Sequence, residues 1–118
     1  MAATDYFVWG WIAHTAGDWA FQSEWMAKNK VSLRHPAAWI HSGIHLVAAL
    51  LVFPAPLALL VAVLHLLIDT RVPLQKWRLF FRQTSDPANP VFIPFAMHQD
   101  QAAHVLVLAL AAWLTKFY

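Results

Sequence analysis

The chain has 118 residues, of which 60% are hydrophobic and 12% charged, and it carries a formal net charge of +2 and no cysteine. The charged share is about half that of an average soluble domain, and a chain this short has much surface to cover for its volume. Disulfides, thiolate zinc sites and iron–sulfur clusters are excluded because they need cysteine. The composition predicts a small integral membrane protein and argues against a soluble domain, a disordered chain or a secreted disulfide module.

Apolar stretches predict an all-α fold, a membrane-spanning four-helix bundle in a single transmembrane domain over residues 1–118. The 33 residues Pro36–Ile68 contain no Asp, Glu, Lys or Arg, and this run is too long for one span. Pro54 and Pro56 lie near its middle and favour a tight turn between two antiparallel helices. The predicted helices are approximately residues 5–22, 36–53, 56–70 and 95–116.

Basic residues are concentrated in the loops that follow the first and third predicted helices. Seven of the eight Lys and Arg residues lie there, namely Lys28, Lys30, Arg34, Arg71, Lys76, Arg78 and Arg82. The positive-inside rule therefore predicts that both loops are cytoplasmic and both termini outside. Topology accounts for the basic charge, so we expect membrane lipids as partners and no nucleic acid. Within the second loop, Val72–Arg82 alternates aromatic and basic residues, which predicts a short amphipathic interfacial segment.

Each predicted helix carries one pair of ionisable or imidazole side chains at i, i+4 spacing. The pairs are His14 and Asp18, His41 and His45, His65 and Asp69, and Asp100 and His104. This spacing puts both side chains of a pair on one helix face, roughly 5–6 Å apart. At about 1.5 Å per residue, all four pairs lie in the cytoplasmic-side third of the bundle. Charges at this depth are costly, so the pairs are expected to face the interior and find partners there.

A divalent metal site is the interpretation that we favour for these pairs. Five histidines and three aspartates suit Zn, Mn or Fe better than Ca or Mg, which prefer oxygen ligands. All eight residues of the pairs are predicted ligands, enough for one or two ions with the remainder supporting the ligands. Gln22 continues the face of His14 and Asp18 and is predicted to contact a ligand. The sequence assigns no catalytic residue.

Two other interpretations of the pairs stay open. In the first, His and Asp hydrogen-bond to each other across helices and set the packing register. In the second, they form a proton path or bind haem, with His41 and His45 on one side and His65 or His104 opposite.

The segment His14–Lys30 resembles the opening motif of a small bacterial inner-membrane family of unknown function (DUF3307). The motif has a His, a Gly-Asp-aromatic run, a Gln and a Trp-Met-Ala-x-x-Lys run. His41–His45, His65–Asp69 and Asp100–His104 resemble later motifs of that family, in the same order. Met97–Asp100 departs from the pattern, since apolar residues are expected there. The resemblance implies a four-helix protein of the bacterial inner membrane and assigns it no activity.

A more distant similarity links the chain to membrane-bound proteins described as metal-dependent hydrolases. It implies hydrolysis of a lipid or a phosphorylated substrate, in which the ions would acidify a water molecule and polarise a phosphoryl or acyl oxygen. Arg34, Arg71 and Arg78 are predicted to attract an anionic head group or phosphate. The alternative is a non-catalytic accessory subunit of a larger membrane complex, whose pairs serve helix packing or bind haem or a pigment. Besides lipids, the predicted partners are further copies of the chain in a homo-oligomer, or a larger membrane complex.

Overall fold

A computed structural model describes residues 1–83 and 93–118, and within these ranges the chain forms helices and no strand. The α-helices are α1 (Ala3–Trp19), α2 (Glu24–Asn29), α3 (Pro36–Leu50), α4 (Ala55–Asp69), α5 (Val72–Phe80) and α6 (Ile93–Leu114), and a 3-10 helix (Thr115–Phe117) follows α6. The predicted all-α fold class is confirmed for the part of the chain that the structure describes.

Prolines and a histidine cap explain where three of the helices begin. Pro36 is the first residue of α3, and the N–H of Ala37 donates to Nδ1 of His35 at 3.0 Å. Pro56 and Pro73 lie in the first turns of α4 and α5. A proline there removes no helical hydrogen bond, because the first N–H groups of a helix have no partner within it.

The four long helices pack side by side around a shared interior. α3 contacts α4, α4 contacts α6, α6 contacts α1, and α1 contacts α3, so the contacts close a ring. The Ser42 hydroxyl on α3 donates to the Ala62 carbonyl on α4 at 3.0 Å. A Cβ atom at Gly10 would lie only 2.8 Å from Cζ of Phe53, so glycine permits the close approach of α1.

An apolar core occupies one half of the helix ring along the helix axes, namely the end near the turn between α3 and α4. Its buried members are Ala49, Phe53, Leu57, Ala58, Val61, Leu108, Ala111 and Ala112. They come from the end of α3 and the turn after it, the start of α4 and the second half of α6. The other ends of the same helices carry the polar pairs. We call these two ends of the ring its apolar half and its polar half.

The predicted division into four helices is too coarse, because the structure has six α-helices within residues 1–83 and 93–118. α1 ends at Trp19 rather than near residue 22. A separate helix, α2, then begins at Glu24, because the Ser23 hydroxyl accepts the N–H of Met26 at 3.2 Å. The segment predicted to lie at the membrane interface forms α5, and Arg71 precedes it with a left-handed φ of 67°.

The expectation of a membrane-spanning bundle is not supported by helix length and hydropathy. In the described ranges, no helix taken singly has both the length and the apolar character needed to cross a membrane. α4 and α5 reach that length and composition as a pair, but they are bent by 66° at their junction. α1, α3 and α4 have 17, 15 and 15 residues, while α6 has 22 but contains the polar run His98–Gln101.

Candidate metal centre

The polar pairs of the four long helices converge on two carboxylates, of which Asp18 on α1 is the first. Its Oδ1 atom lies 3.0 Å from Nε2 of His45 and 3.2 Å from Nε2 of His41, both on α3. Its Oδ2 atom lies 3.2 Å from Nε2 of His14, one turn earlier on α1. The i, i+4 spacing within α1 and within α3 therefore arranges three imidazoles around one carboxylate.

Asp69, at the end of α4, is the second carboxylate and is buried. Its Oδ2 atom lies 2.9 Å from Nε2 of His65 on the same helix and 3.4 Å from Nε2 of His41. Its Oδ1 atom lies 3.5 Å from Nε2 of His104 on α6. Since His41 Nε2 is near both Asp18 and Asp69, the two carboxylates belong to one continuous cluster.

Five imidazole rings fill the space around these carboxylates, and each histidine is at most 5% exposed. His65 lies at the centre of the five rings. Its ring centroid is 3.7 Å from that of His45, 4.5 Å from His104, 5.0 Å from His41 and 5.4 Å from His14. The planes of the closest pair differ by 24°, so those two rings stack.

Within residues 1–83 and 93–118, several of the enclosed imidazole nitrogens have no hydrogen-bond partner. They are Nε2 of His14, both ring nitrogens of His41, both of His65, and Nε2 of His104. Carboxylate oxygens of Asp18 and Asp69 lie 2.9–3.5 Å from these Nε2 atoms, at ion-pair distance, whereas Nδ1 of His41 and of His65 has no polar partner among the described residues. A buried polar group without a hydrogen bond costs about 1–3 kcal/mol, and such groups are rare in folded proteins. Convergent imidazole nitrogens with carboxylates are a donor set that binds transition metals.

Two overlapping groups of side chains bring their ligand atoms close enough to share an ion. In the first group, ligand atoms of Asp18, His41, His45 and His65 lie within 4.8 Å of one another. In the second, ligand atoms of His65, Asp69 and His104 do so. The first group offers three nitrogens and one oxygen, which suits a four-coordinate ion. The buried cluster can therefore hold a metal ion, and His65 belongs to both groups.

The pair on α6 is placed differently from the other three. Nδ1 of His104 lies 2.7 Å from the main-chain carbonyl of Asp100 and donates to it when it carries the ring proton. Nε2 then presents its lone pair to the centre, an arrangement common for metal-binding histidines. The Asp100 carboxylate lies 3.7 Å from His104 Nδ1 and belongs to neither ligand group. His14 also lies outside both groups, although its Nε2 atom contacts Asp18 and its ring centroid lies 4.9 Å from those of His45 and His104.

The remaining predicted site residues lie at three distinct places. Gln22 contacts the backbone of a candidate ligand, since its Nε2 atom lies 3.4 Å from the Asp18 carbonyl. Arg71 and Arg78 line a cavity that also contains Asp69. Arg34 is exposed and does not line that cavity.

Sequence reasoning missed Lys30, which it counted only among the basic loop residues. The Lys30 ammonium nitrogen lies 3.7 Å from Oδ2 of Asp69, and the side chain is 17% exposed. Lys30 follows α2, and α2 packs against α3 beside the centre. Ser23 followed by Glu24 is a helix-start pattern that could have indicated α2, but it carries no information on the return of the loop towards the helix ring.

Two cavities approach the centre from different directions. The larger, of about 930 Å³, lies between α1 and α3, and apolar side chains with Gly17 and Gly43 line it. The smaller, of about 350 Å³, is lined by residues of α4, α5 and α6 together with Lys30, and it contains Asp69 and Asp100. The charged cavity therefore reaches the cluster at Asp69, whereas the apolar groove passes it at Gly17, which packs against His45.

Comparison with known families gives one match, and it covers nearly the whole chain. A family described as "Protein of unknown function (DUF3307)" matches residues 7–117, a range that includes all four polar pairs. No curated protein and no solved structure matches the chain.

Proposed function

The chain belongs to the DUF3307 family of proteins of unknown function, and we propose that it is a membrane-embedded, metal-dependent hydrolase. In this proposal the polar half of the helix ring holds one or two divalent transition-metal ions near the cytoplasmic face. The substrate is a lipid or a phosphorylated compound that reaches the ions through the cavities beside them.

The observation that carries the proposal is the set of buried imidazole nitrogens without hydrogen-bond partners. Three of the long helices, α1, α3 and α4, contribute two site side chains each to one cluster, and α6 adds His104. A hydrogen-bonded core would instead pair each enclosed nitrogen with a donor or an acceptor, as buried polar groups normally are. A bound ion satisfies several lone pairs at once, since each ligand contributes one pair to the same atom.

The chemistry of the ligand atoms selects the class of ion. Imidazole nitrogens with carboxylate oxygens favour Zn, Mn or Fe over Ca and Mg, which take all-oxygen shells. His65 lies in both ligand groups, and one neutral imidazole nitrogen serves one ion. A single ion would therefore take Asp18, His41, His45 and His65. A second ion would need Asp69 and His104 with the help of a solvent or substrate oxygen.

A divalent ion held by these residues would lower the pKa of a bound water and polarise a phosphoryl or acyl oxygen. The protein's own residues hold the ligands and shape the access. His104 is oriented by the Asp100 carbonyl, and Gln22 contacts the Asp18 carbonyl. Lys30 adds a positive charge beside Asp69, at the edge of the charged cavity.

The packing of the imidazole rings favours a small ion over haem. A porphyrin ligated from both sides needs two histidines on opposite faces of a flat macrocycle. His45 and His65, on facing helices, instead stack directly with centroids 3.7 Å apart. His65 and His104 are 4.5 Å apart. Haem binding would require these helices to separate, whereas an ion fits among ligand atoms that already lie within 4.8 Å.

Outward-facing apolar side chains support the membrane placement. Exposed examples on the four long helices are Trp9, Ile12, Ile40, Val47, Leu59, Val63, Leu106, Leu110 and Trp113. Extensive apolar surface of this kind marks contact with lipid or with another protein. In this topology the basic loops face the cytoplasm of a bacterial cell, the termini lie outside, and lipids of the inner membrane surround the ring.

A second candidate is a non-catalytic subunit, and the same exposed apolar surface favours it. In that case α1, α3 or α6 would pack against other proteins of a larger membrane complex. The mass of the native particle after extraction in a mild detergent distinguishes the two candidates. A hydrolase that acts alone is expected as a monomer or homo-oligomer, whereas a subunit co-purifies with its complex.

Elemental analysis of the purified protein tests the metal centre. We expect one or two equivalents of Zn, Mn or Fe in protein extracted in mild detergent without chelators. The double variant His65→Ala, Asp69→Ala is expected to lose this metal, because it removes ligands from both groups. His98→Ala is the matched control, since His98 is an exposed histidine on α6 outside the cluster.

Far-UV circular dichroism shows whether each variant keeps its helix content, and Asp69→Asn supplies a nearly isosteric replacement if the double variant does not fold. Absence of a transition metal from the wild type would overturn the proposal. Equal metal content in the wild type and in folded Asp69→Asn and double-variant protein would do the same.

A further inference from the structure

We propose that the cavity of about 350 Å³ beside Asp69 is a phosphate-binding subsite, which takes a phosphate monoester against the metal centre. This inference deepens the proposed function and rests on it for the chemistry that follows binding. It narrows the substrate from a lipid or phosphorylated compound to one that carries a terminal phosphate. Lys30, Arg71 and Arg78 are the residues that recognise the phosphate.

The charges on the cavity wall favour an anion. Lys30, Arg71 and Arg78 are cationic, while the carboxylates on the wall are those of Asp69 and Asp100. Asp69 already faces the imidazole cluster, with His65 Nε2 2.9 Å from its Oδ2 atom. The cations outnumber the carboxylates, and an ion bound by Asp69 would make the cavity more positive. Arginine and lysine together provide the donors that phosphate oxygens accept.

Arg78 is the anchor of this subsite, because its charge is buried and held in a fixed position. It is 5% exposed, although arginine is almost never buried without a partner. Its Nη1 atom donates to Oε1 of Gln99 at 3.0 Å, and Gln99 Nε2 donates to Gln83 Oε1 at 2.8 Å. Within residues 1–83 and 93–118, Arg78 makes no ion pair with a carboxylate. The neutral amide orients the guanidinium without cancelling the charge that a phosphate would need.

Arg71 is held at the cavity by an unusual backbone conformation. It lies at the junction of α4 and α5, two residues after Asp69, with a left-handed φ of 67°. This conformation costs a residue with a Cβ atom roughly 1–2 kcal/mol, and glycine would adopt it freely. Strained residues of this kind cluster at ligand-binding sites, and this supports a role for Arg71 in binding.

Lys30 joins the subsite to the metal centre. Its Nζ atom lies 3.7 Å from Oδ2 of Asp69, an oxygen that faces His65 and His41. A phosphate that contacts Lys30 and Arg78 would thus lie next to the second ligand group, His65, Asp69 and His104. In this position one phosphate oxygen would complete the coordination of a second ion held by Asp69 and His104.

The recognised chemistry is a phosphate monoester, whether it belongs to a soluble compound or to a lipid head group. Binding of inorganic phosphate and of phosphatidic acid in mixed detergent micelles tests the subsite with the full chain. The variants are Lys30→Gln, Arg71→Gly and Arg78→Gln. Arg71→Gly removes the charge but suits the left-handed backbone, so loss of binding cannot be attributed to strain.

Lys76→Gln is the matched control, since Lys76 is an exposed cation on α5, the helix of Arg78, and does not line the cavity. We expect each cavity variant to weaken phosphate binding about tenfold or more, as loss of a charge-assisted hydrogen bond does. Lys76→Gln should bind as the wild type does. Phosphatidic acid that binds more tightly than inorganic phosphate identifies a lipid head group, and equal affinity identifies a soluble phosphate ester; both outcomes support the subsite.

Phosphate binding that is unchanged in folded Arg78→Gln and Arg71→Gly protein would overturn the inference, as would equal weakening by Lys76→Gln. Elemental analysis of the same samples separates this failure from failure of the proposed function. If the variants keep their metal and bind phosphate as the wild type does, the subsite is disproved and the metal centre is not affected. Conversely, if the purified protein contains no metal and its phosphate binding depends on Arg78, the subsite is supported and the proposed metal centre is disproved.

Discussion

The two halves of the helix ring consist of the same four helices but bury opposite kinds of side chain. Near the turn between α3 and α4, Phe53, Leu57 and Leu108 pack in an apolar core. At the other end, about one to three turns along the same helices, His41, His65 and their neighbours pack around the carboxylates of Asp18 and Asp69. The apolar half satisfies its side chains by contact alone, whereas the polar half leaves imidazole nitrogens without hydrogen bonds.

Two glycines of α1 show what the halves share. Gly10 and Gly17 are seven residues apart and therefore lie on one face of the helix. A Cβ atom at Gly10 would lie 2.8 Å from Cζ of Phe53, and one at Gly17 would lie 2.7 Å from Cε1 of His45. α1 must therefore approach the neighbouring side chains closely in both halves of the ring. In one half it packs the core, and in the other it places a candidate ligand.

The largest expected effect on stability comes from the apolar half. Phe53 is 4% exposed and stacks on Tyr6 with ring centroids 5.9 Å apart. Phe53→Ala should lower the free energy of unfolding by about 3–5 kcal/mol, because it removes buried surface and leaves a cavity. Denaturant titration in detergent micelles measures this change. Phe80→Ala, at a residue 80% exposed, should change the free energy by no more than about 0.5 kcal/mol.

The same variants test whether the two halves are independent. Folded Phe53→Ala protein should keep the metal content of the wild type, because Phe53 lies outside the ligand groups. Loss of the metal from this variant would contradict the separation into an apolar half and a polar half.

Metal removal should have the next largest effect, and it acts on the polar half. An ion that binds only the folded protein stabilises it by about 2.7 kcal/mol when its free concentration is 100 times its Kd. A chelator should therefore lower the melting temperature of the wild type. The variant His65→Ala, Asp69→Ala should not respond, since it lacks ligands of both groups. A chelator response of equal size in both proteins would contradict the assignment.

Gly17→Ala should have a smaller effect on stability and a selective effect on metal binding. The added methyl group would overlap the His45 ring, with distances of 2.7 and 2.8 Å to Cε1 and Nε2. Overpacking of this kind costs about 1–3 kcal/mol. Displacement of a candidate ligand should also weaken metal affinity, which a competition titration with a coloured chelator measures. Unchanged affinity would mean that His45 is not a ligand.

Gly43→Ala is the counterpart on α3 and should have the smallest effect. Apart from its chain neighbours and the backbone of its own helix, no described residue has an atom within 4 Å of a Cβ placed at Gly43, which lines the apolar groove between α1 and α3. Alanine in a helix is more stable than glycine by about 0.5–1 kcal/mol. The melting temperature should therefore rise slightly while the metal content stays constant. A fall in stability would show that the groove at this point is filled when the protein folds.

The sequence predicted the helical fold class and the residues that meet in the polar half. Each of the pairs at i, i+4 spacing occupies one face of its helix, and the common depth of the pairs predicted that they would meet. Distances of 2.9–3.5 Å between Asp69 and three histidines agree with that expectation of proximity. The role of these residues as metal ligands stays a prediction.

Other features were beyond reach of the sequence. The short helix α2 brings Lys30 to 3.7 Å from Asp69, and apolar periodicity carries no information about a loop that folds back. Arg34, Arg71 and Arg78 looked equivalent as loop cations. The structure separates them, because Arg71 and Arg78 line the charged cavity and Arg34 does not.

The sequence by itself determined which side chains share a helix face and at what depth, because helical periodicity sets the rotation and height of every residue along its own axis. Tertiary structure alone decided which oxygen faces which imidazole, that His65 is common to both ligand groups, and which cations reach the cavity. These features depend on how closely neighbouring helices approach and on how the loops return. Gly10 and Gly17 permit that approach through contacts with Phe53 and His45, residues far away in the chain, and the left-handed backbone of Arg71 shapes the junction of α4 and α5.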